Sequence, residues 1–127
     1  MPSFNFKQRF AHRVRLGLLR PDHPHAKRQT IRARRADGRD PEPGQPITLY
    51  TGQRTPFCIK LGKTTLKRRT PVRIVGGDLY EVHAGDNLLT PAEIVRLATA
   101  DGFADIDAFF SFFSPHGETF TGFIFNW

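Results

Sequence analysis

The densest chemistry in this sequence lies at Lys27-Arg28-Gln29-Thr30-Ile31-Arg32-Ala33-Arg34-Arg35. A strand over residues 29–35 puts Thr30, Arg32 and Arg34 on one face and Ile31 and Ala33 on the other. Arginine on such a face suits bidentate contact with phosphate or a base edge, while lysine is a point charge whose pKa falls on burial. Lys27 precedes Thr30 by three, so a regular strand would turn it away. It must therefore act from a loop that brings it back. The plain structural alternative is an edge strand that carries charge to resist pairing. Other reactive residue types are scattered. His23 and His25 with the distant Cys58 do not make a zinc site, which needs four spaced ligands or three and a water. Cys58 shares a strand face with Lys60 and reads as packed rather than reactive. Gly76-Gly77-Asp78 reads as a turn, and there is no glycine-rich phosphate loop. Lys67-Arg68-Arg69 is a second basic run, either an extension of an anion-binding surface or a solvated one. Tyr50, Tyr80 and Phe57 are candidates to stack on a base.

These residues need elements to hold them. Phe4 and Phe6 alternate as in a short strand. Over residues 9–19, Phe10, Val14, Leu16 or Gly17, and Leu18 recur at helical spacing, with Arg9, Arg13 and Arg15 on the wet side. Pro21 and Pro24 make residues 20–26 a loop. Residues 47–50 and 57–61 read as a hairpin around Thr51-Gly52-Gln53-Arg54. Residues 72–75 and 79–82 are further short strands. Thr90-Pro91-Ala92-Glu93 is a capping-box helix start. That helix runs to about Ala100 and buries Ile94, Leu97 and Ala98. Asp101-Gly102-Phe103 stops it, and a second helix begins near Asp105, with acids in its first turn. Its Phe109, Phe110, Phe112 and Phe113 cover most of its circumference, which predicts deep burial. Residues 119–127 form a last strand with aromatics on both faces, hence a central one. The order predicts one α+β domain over residues 1–127, a small, partly closed barrel with helices at its ends.

Charge narrows the partner. The 127 residues carry a formal net charge of +7, unevenly spread. Residues 1–75 hold 18 of the 19 Lys and Arg against 4 acids, and the remainder holds one Arg against 8 acids. Such a basic region attracts polyanions over a Debye length. Twelve phenylalanines point to an aromatic, strand-built core. The lone Cys58 excludes an intramolecular disulfide and favours a reducing, cytoplasmic setting. No apolar stretch predicts a signal peptide or a membrane span.

Lys27-Arg28-Gln29-Thr30-Ile31-Arg32 resembles the signature of the ASCH family of the PUA-like superfamily. Phe4-Asn5-Phe6-Lys7, the helix after it, Tyr50-Thr51-Gly52-Gln53-Arg54-Thr55, Asp101-Gly102-Phe103 and the terminal Phe125-Asn126-Trp127 occur in the order such proteins show, above all a phage and bacterial subgroup. The resemblance covers nearly the whole chain. It implies a pseudo-β-barrel of about five to seven strands, flanked by helices, with a basic cleft. It departs from the family where His25-Ala26-Lys27 replaces a Gly-x-Lys phrase, in a longer loop over residues 20–24, and where Asp101 stands for a Glu.

What the resemblance implies is binding of RNA, single-stranded nucleic acid or a modified nucleoside around Lys27, Thr30 and Arg32, without a cofactor or metal. Lys7, Arg28, Arg32, Arg34 and Arg54 are then the phosphate-binding candidates, and Tyr50 and Phe57 the base-stacking ones. Some relatives deacylate 4-acetylcytidine, and this carries over as a catalytic set of Lys27, Thr30 and Asp101. A neutral Lys27 would take the proton of Thr30, Asp101 would move protons or orient water, and Arg32 and Arg54 would hold phosphate or an oxyanion. Others are described as ribonucleases, which here implies a metal-independent mechanism.

Overall fold

The computed structural model describes residues 2–127. Its architecture follows from the last strand, β8 (Thr119–Asn126). Phe123 and Phe125, followed by Trp127, point to one side, and Gly122 and Ile124 to the other, so both faces must be covered. β8 therefore lies between β2 (Gln29–Ala33) and β5 (Arg68–Val75), antiparallel to both. β6 (Glu81–Ala84) and β7 (Asn87–Leu88) extend this sheet beyond β5, in the order β2-β8-β5-β6-β7. A second sheet has three strands. β1 (Ser3–Phe6) runs parallel to β3 (Pro46–Thr51), which forms a hairpin with β4 (Ile59–Thr65). Helix α1 (Gln8–Leu19) packs on it. Phe123, Phe125 and Trp127 join Phe4, Phe6, Val14, Ile47 and Leu49 in the core between the sheets. Ile31 and Ile124 face the other core, with Phe103, α2 (Pro91–Ala100) and α3 (Ile106–Phe113).

The α+β class and the central last strand stand as expected. The strand number does not: the described residues form eight strands in two sheets, where one small barrel of about five to seven was expected. The chain itself joins the sheets on one side. Leu66 N–H donates to the Gln45 carbonyl and Lys67 N–H to that of Asn126, carrying β4 into β5. On the other side β1 and β2 share no ladder. There the Arg32 side chain crosses the seam, and its Nη2 donates to the Asn5 carbonyl at 2.6 Å.

Local differences have local causes. β5 begins at Arg68, earlier than expected, because Pro71 reads as a breaker. Pairing of β5 with β6 starts only at Val72, so the proline sits where one side of β5 has no ladder. Leu79 and Tyr80 belong to the turn before β6, with Tyr80 at φ +48. Cys58 is exposed and precedes β4, so it is not packed. Phe112 is 45 % exposed, against the expected burial of every phenylalanine in α3.

Two helix details position the functional loop. Gly17 lies on the buried face of α1, where a Cβ would come within 2.4 Å of the Lys27 carbonyl oxygen. At the other end of the site, Thr90 and Glu93 form the expected capping box of α2. Gly102, at φ +97, ends that helix in a Schellman turn, with Phe103 N–H donating to Ala98 O and Gly102 N–H to Thr99 O. In an exposed helix, Gly to Ala would stabilise by about 1 kcal/mol. Gly17→Ala should instead destabilise by about 1–3 kcal/mol, because the methyl meets backbone that cannot rotate away. A lowered urea midpoint checks this, and an unchanged or raised one refutes the close approach.

Candidate functional site

The site forms where the seam between β1 and β2 meets the end of α2. Lys27 sits in the loop before β2, as its spacing requires. Its N–H donates to the Arg13 carbonyl of α1 at 2.8 Å, and the next residue's carbonyl accepts from Trp127 N–H. Held at both points, the residue is 2 % exposed. Its Nζ donates to the Asp101 backbone carbonyl at 2.5 Å and lies 3.1 Å from Asp101 Oδ1. Asp101 caps the C-terminus of α2, where the helix dipole favours a cation, and is itself 5 % exposed. Gln29 Nε2 donates to the same Oδ1 at 3.3 Å.

Thr30 and Arg32 complete the polar wall. Arg32 Nε donates to Thr30 Oγ1 at 2.8 Å, which leaves the threonine hydroxyl proton free to donate. The guanidinium carbon lies 5.1 Å from the Phe6 ring centroid and 5.5 Å from that of Phe4. Lys27, Thr30, Arg32 and Asp101 all line one cavity of about 280 Å³. Phe6, Phe10, Phe103, Phe112 and Phe113 form its apolar wall, and Asn5 and Lys7 also line it.

Burial dominates the electrostatics. It pushes the Lys27 ammonium below its usual pKa. The Asp101 charge and hydrogen bond oppose that fall, while Arg32 and Arg13 add to it. Burial likewise pushes the Asp101 carboxyl above its usual range, against the Lys27 charge and the bond from Gln29. Arg32 is lowered by burial but remains a cation. Both shifts in the pair favour the neutral partners, so passing a proton between them costs less than it would in water.

Of the other expected residues, Lys7 reaches the site, its Nζ 4.9 Å from the Phe112 centroid. Five do not. Arg28 alternates away from Lys27 and lines a separate surface cavity with Lys67 and Arg68. β2 stops at Ala33, so Arg34 leaves the strand face and stacks on Phe123 at 4.5 Å. Arg54 sits at φ +66 in an exposed turn beside β1, and Tyr50 pairs with Asn5 across the β1–β3 ladder, but neither lines the cavity. Phe57 is 80 % exposed in the hairpin turn. The aromatic wall comes instead from residues that the sequence reading assigned to the core or to helix faces. Gln29 passed as an ordinary strand residue. Its only signal was a polar side chain next to Thr30 in a strand about to be buried.

Among the described residues, no group of three or more His, Cys, Asp or Glu could hold a metal ion, and no helix is long and apolar enough to cross a membrane. The buried pair makes a direct prediction. Asp101→Asn strands the ammonium and should cost about 3–5 kcal/mol, and Lys27→Met with Asp101→Asn should recover most of that loss. Urea denaturation of the variants checks it, and a single variant as stable as wild type would mean the pair is not buried. The chain matches no protein-family model, no curated protein and no solved structure.

Proposed function

We propose that the chain is an ASCH-like, PUA-like domain that binds a nucleobase, carried by RNA or by a modified nucleotide, in the cleft between β1, β2 and α3. The observation that carries this reading is the mixed lining of one cavity: Lys27, Thr30 and Arg32 together with a set of phenylalanine rings. A base needs both an apolar face to stack on and donors at its edge. A cavity of about 280 Å³ suits one splayed base, not a duplex. Lys7 and Arg32 supply positive charge where a phosphate would follow the base. The exposed thiol of Cys58 accords with a reducing, cytoplasmic setting.

Single-stranded RNA binding, followed by fluorescence anisotropy, tests the reading. Affinity should fall steeply between 50 and 200 mM salt, by about tenfold or more. Phe112→Ala, at a half-exposed position that should not unfold the chain, should weaken binding by about tenfold if a base stacks there. Binding that ignores salt and survives Lys27→Ala with Arg32→Ala sinks the reading.

The buried Lys27–Asp101 pair beside Thr30 favours a second reading, deacylation of an acylated cytidine. Thr30 Oγ would attack the acyl carbon while its proton passes to neutral Lys27, and Arg32 would stabilise the oxyanion. The C–N bond then breaks as Lys27 returns the proton to the amine nitrogen. Water then gives a proton to Lys27 or Asp101 and attacks the acyl carbon, and the bond from that carbon to Thr30 Oγ breaks as the proton passes to Oγ, freeing the carboxylic acid. Because the base must be neutral, the rate should rise with pH through the depressed pKa of Lys27. Asp101→Asn removes an influence that raises that pKa, so the rising limb should move to lower pH. Thr30→Ala should abolish turnover, and Thr30→Ala at the wild-type rate would overturn this mechanism.

A further inference from the structure

The cleft does not end at Arg32. A second cavity of about 390 Å³ lies on the far side of that side chain, lined by Arg32, Arg35 and Arg39 together with Phe4, Asp40 and Pro41. The Arg32 guanidinium lies over both Phe4, which lines this groove, and Phe6, which lines the cleft. It is therefore the partition between the two.

We propose that this groove is a phosphate subsite continuous with the cleft, so that the ligand of the cleft is a phosphorylated nucleotide or a strand, not a free nucleoside. This rests on the base-binding reading. Two Arg32 donors are bonded, Nε to Thr30 and Nη2 to Asn5, and the remaining N–H groups meet no acceptor among the described residues. The Arg39 guanidinium forms no hydrogen bond or ion pair among the described residues either.

Of the acids nearby, Asp37 is paired with Arg35, and Asp40 is bonded through one carboxylate oxygen. Asp37 binds Arg35 through both carboxylate oxygens and accepts from Arg39 N–H, and Asp40 Oδ1 accepts from Arg35 N–H. Those bonds shape the loop that carries Arg39. Arg69 anchors the loop's base, its Nη1 donating to the Pro41 carbonyl at 3.1 Å. The groove thus presents two arginines with unused donors on a held framework, the geometry that suits a phosphate's oxygens.

The test compares the four common nucleosides with their 3′ and 5′ monophosphates at low salt, by calorimetry, and follows the Arg32 and Arg39 Nε–Hε NMR signals during titration with inorganic phosphate. At least one monophosphate should bind about tenfold more tightly than its nucleoside. Arg39→Gln should erase that difference while leaving nucleoside affinity as it was, which a general loss of structure would not do. Inorganic phosphate should shift both arginine signals. Equal binding of nucleoside and monophosphate with unmoved arginine signals overturns the subsite, as does a phosphate preference that survives Arg39→Gln. If phosphate moves the signals but no nucleoside binds and no base improves on phosphate alone, the subsite stands and the base-binding reading falls.

Discussion

A strand with large apolar side chains on both faces has to be sandwiched, and β8 imposes that demand on everything around it. Phe123, Phe125 and Trp127 need a cover that the three-stranded sheet provides, while Ile124 needs the cover of α2 and α3. Each large buried side chain is worth about 1.5–3 kcal/mol. No arrangement that left one face of β8 wet could recover that. The demand also decides where a site can form. Two sheets pressed on a common strand leave open edges, and one of those edges, between β1 and β2, falls next to the C-terminus of α2.

Much of this is legible in the sequence, and the reasons differ by residue. The alternation in residues 119–127 made β8 central because period-two patterning reports burial on each face directly. Thr90 and Glu93 located α2 because capping is a local interaction. Lys27, Thr30 and Arg32 were legible as a cluster because they lie within six residues. Asp101 was not reachable that way. It lies 74 residues from Lys27, and only the resemblance to a family picked it out. The aromatic wall was illegible for a different reason: a phenylalanine lining a cleft and one filling a core have the same sequence signature. Arg34 failed at a boundary, since the strand ended two residues sooner than the basic run did.

The Lys27–Asp101 pair is hard to explain by stability. Two desolvated charges rarely gain from each other what they lose to water, and apolar replacements of similar volume are often neutral or stabilising. The helix end at Asp101 could be satisfied by water if it were exposed. Here Gly17 brings the Lys27 loop onto α1, and Gly102 turns the chain so that the Asp101 carbonyl, at the cap of α2, and the Asp101 carboxylate meet one ammonium. Two glycines at tight positions thus serve an ion pair that contributes little net stability. Such an arrangement is easier to understand as a way to hold a titratable group where a ligand can reach it.

Arg32 shows why the seam is open rather than closed. A ladder between β1 and β2 would satisfy backbone groups and complete a barrel. Instead one guanidinium reaches across to the Asn5 carbonyl, supports Thr30 and stands over two phenylalanine rings. A ladder would fix the two edges at about 4.8 Å and leave no room between them. A side chain bridges a wider gap and keeps donors on both of its sides. The charge asymmetry of the chain then falls into place. The basic region supplies the bridge, the loop lysine and the groove arginines, while the acidic region contributes a single carboxylate to the cleft. That carboxylate pairs with Lys27, 3.1 Å away, so Arg32, which has no ion-pair partner among the described residues, is the cation at the opening between the two cavities.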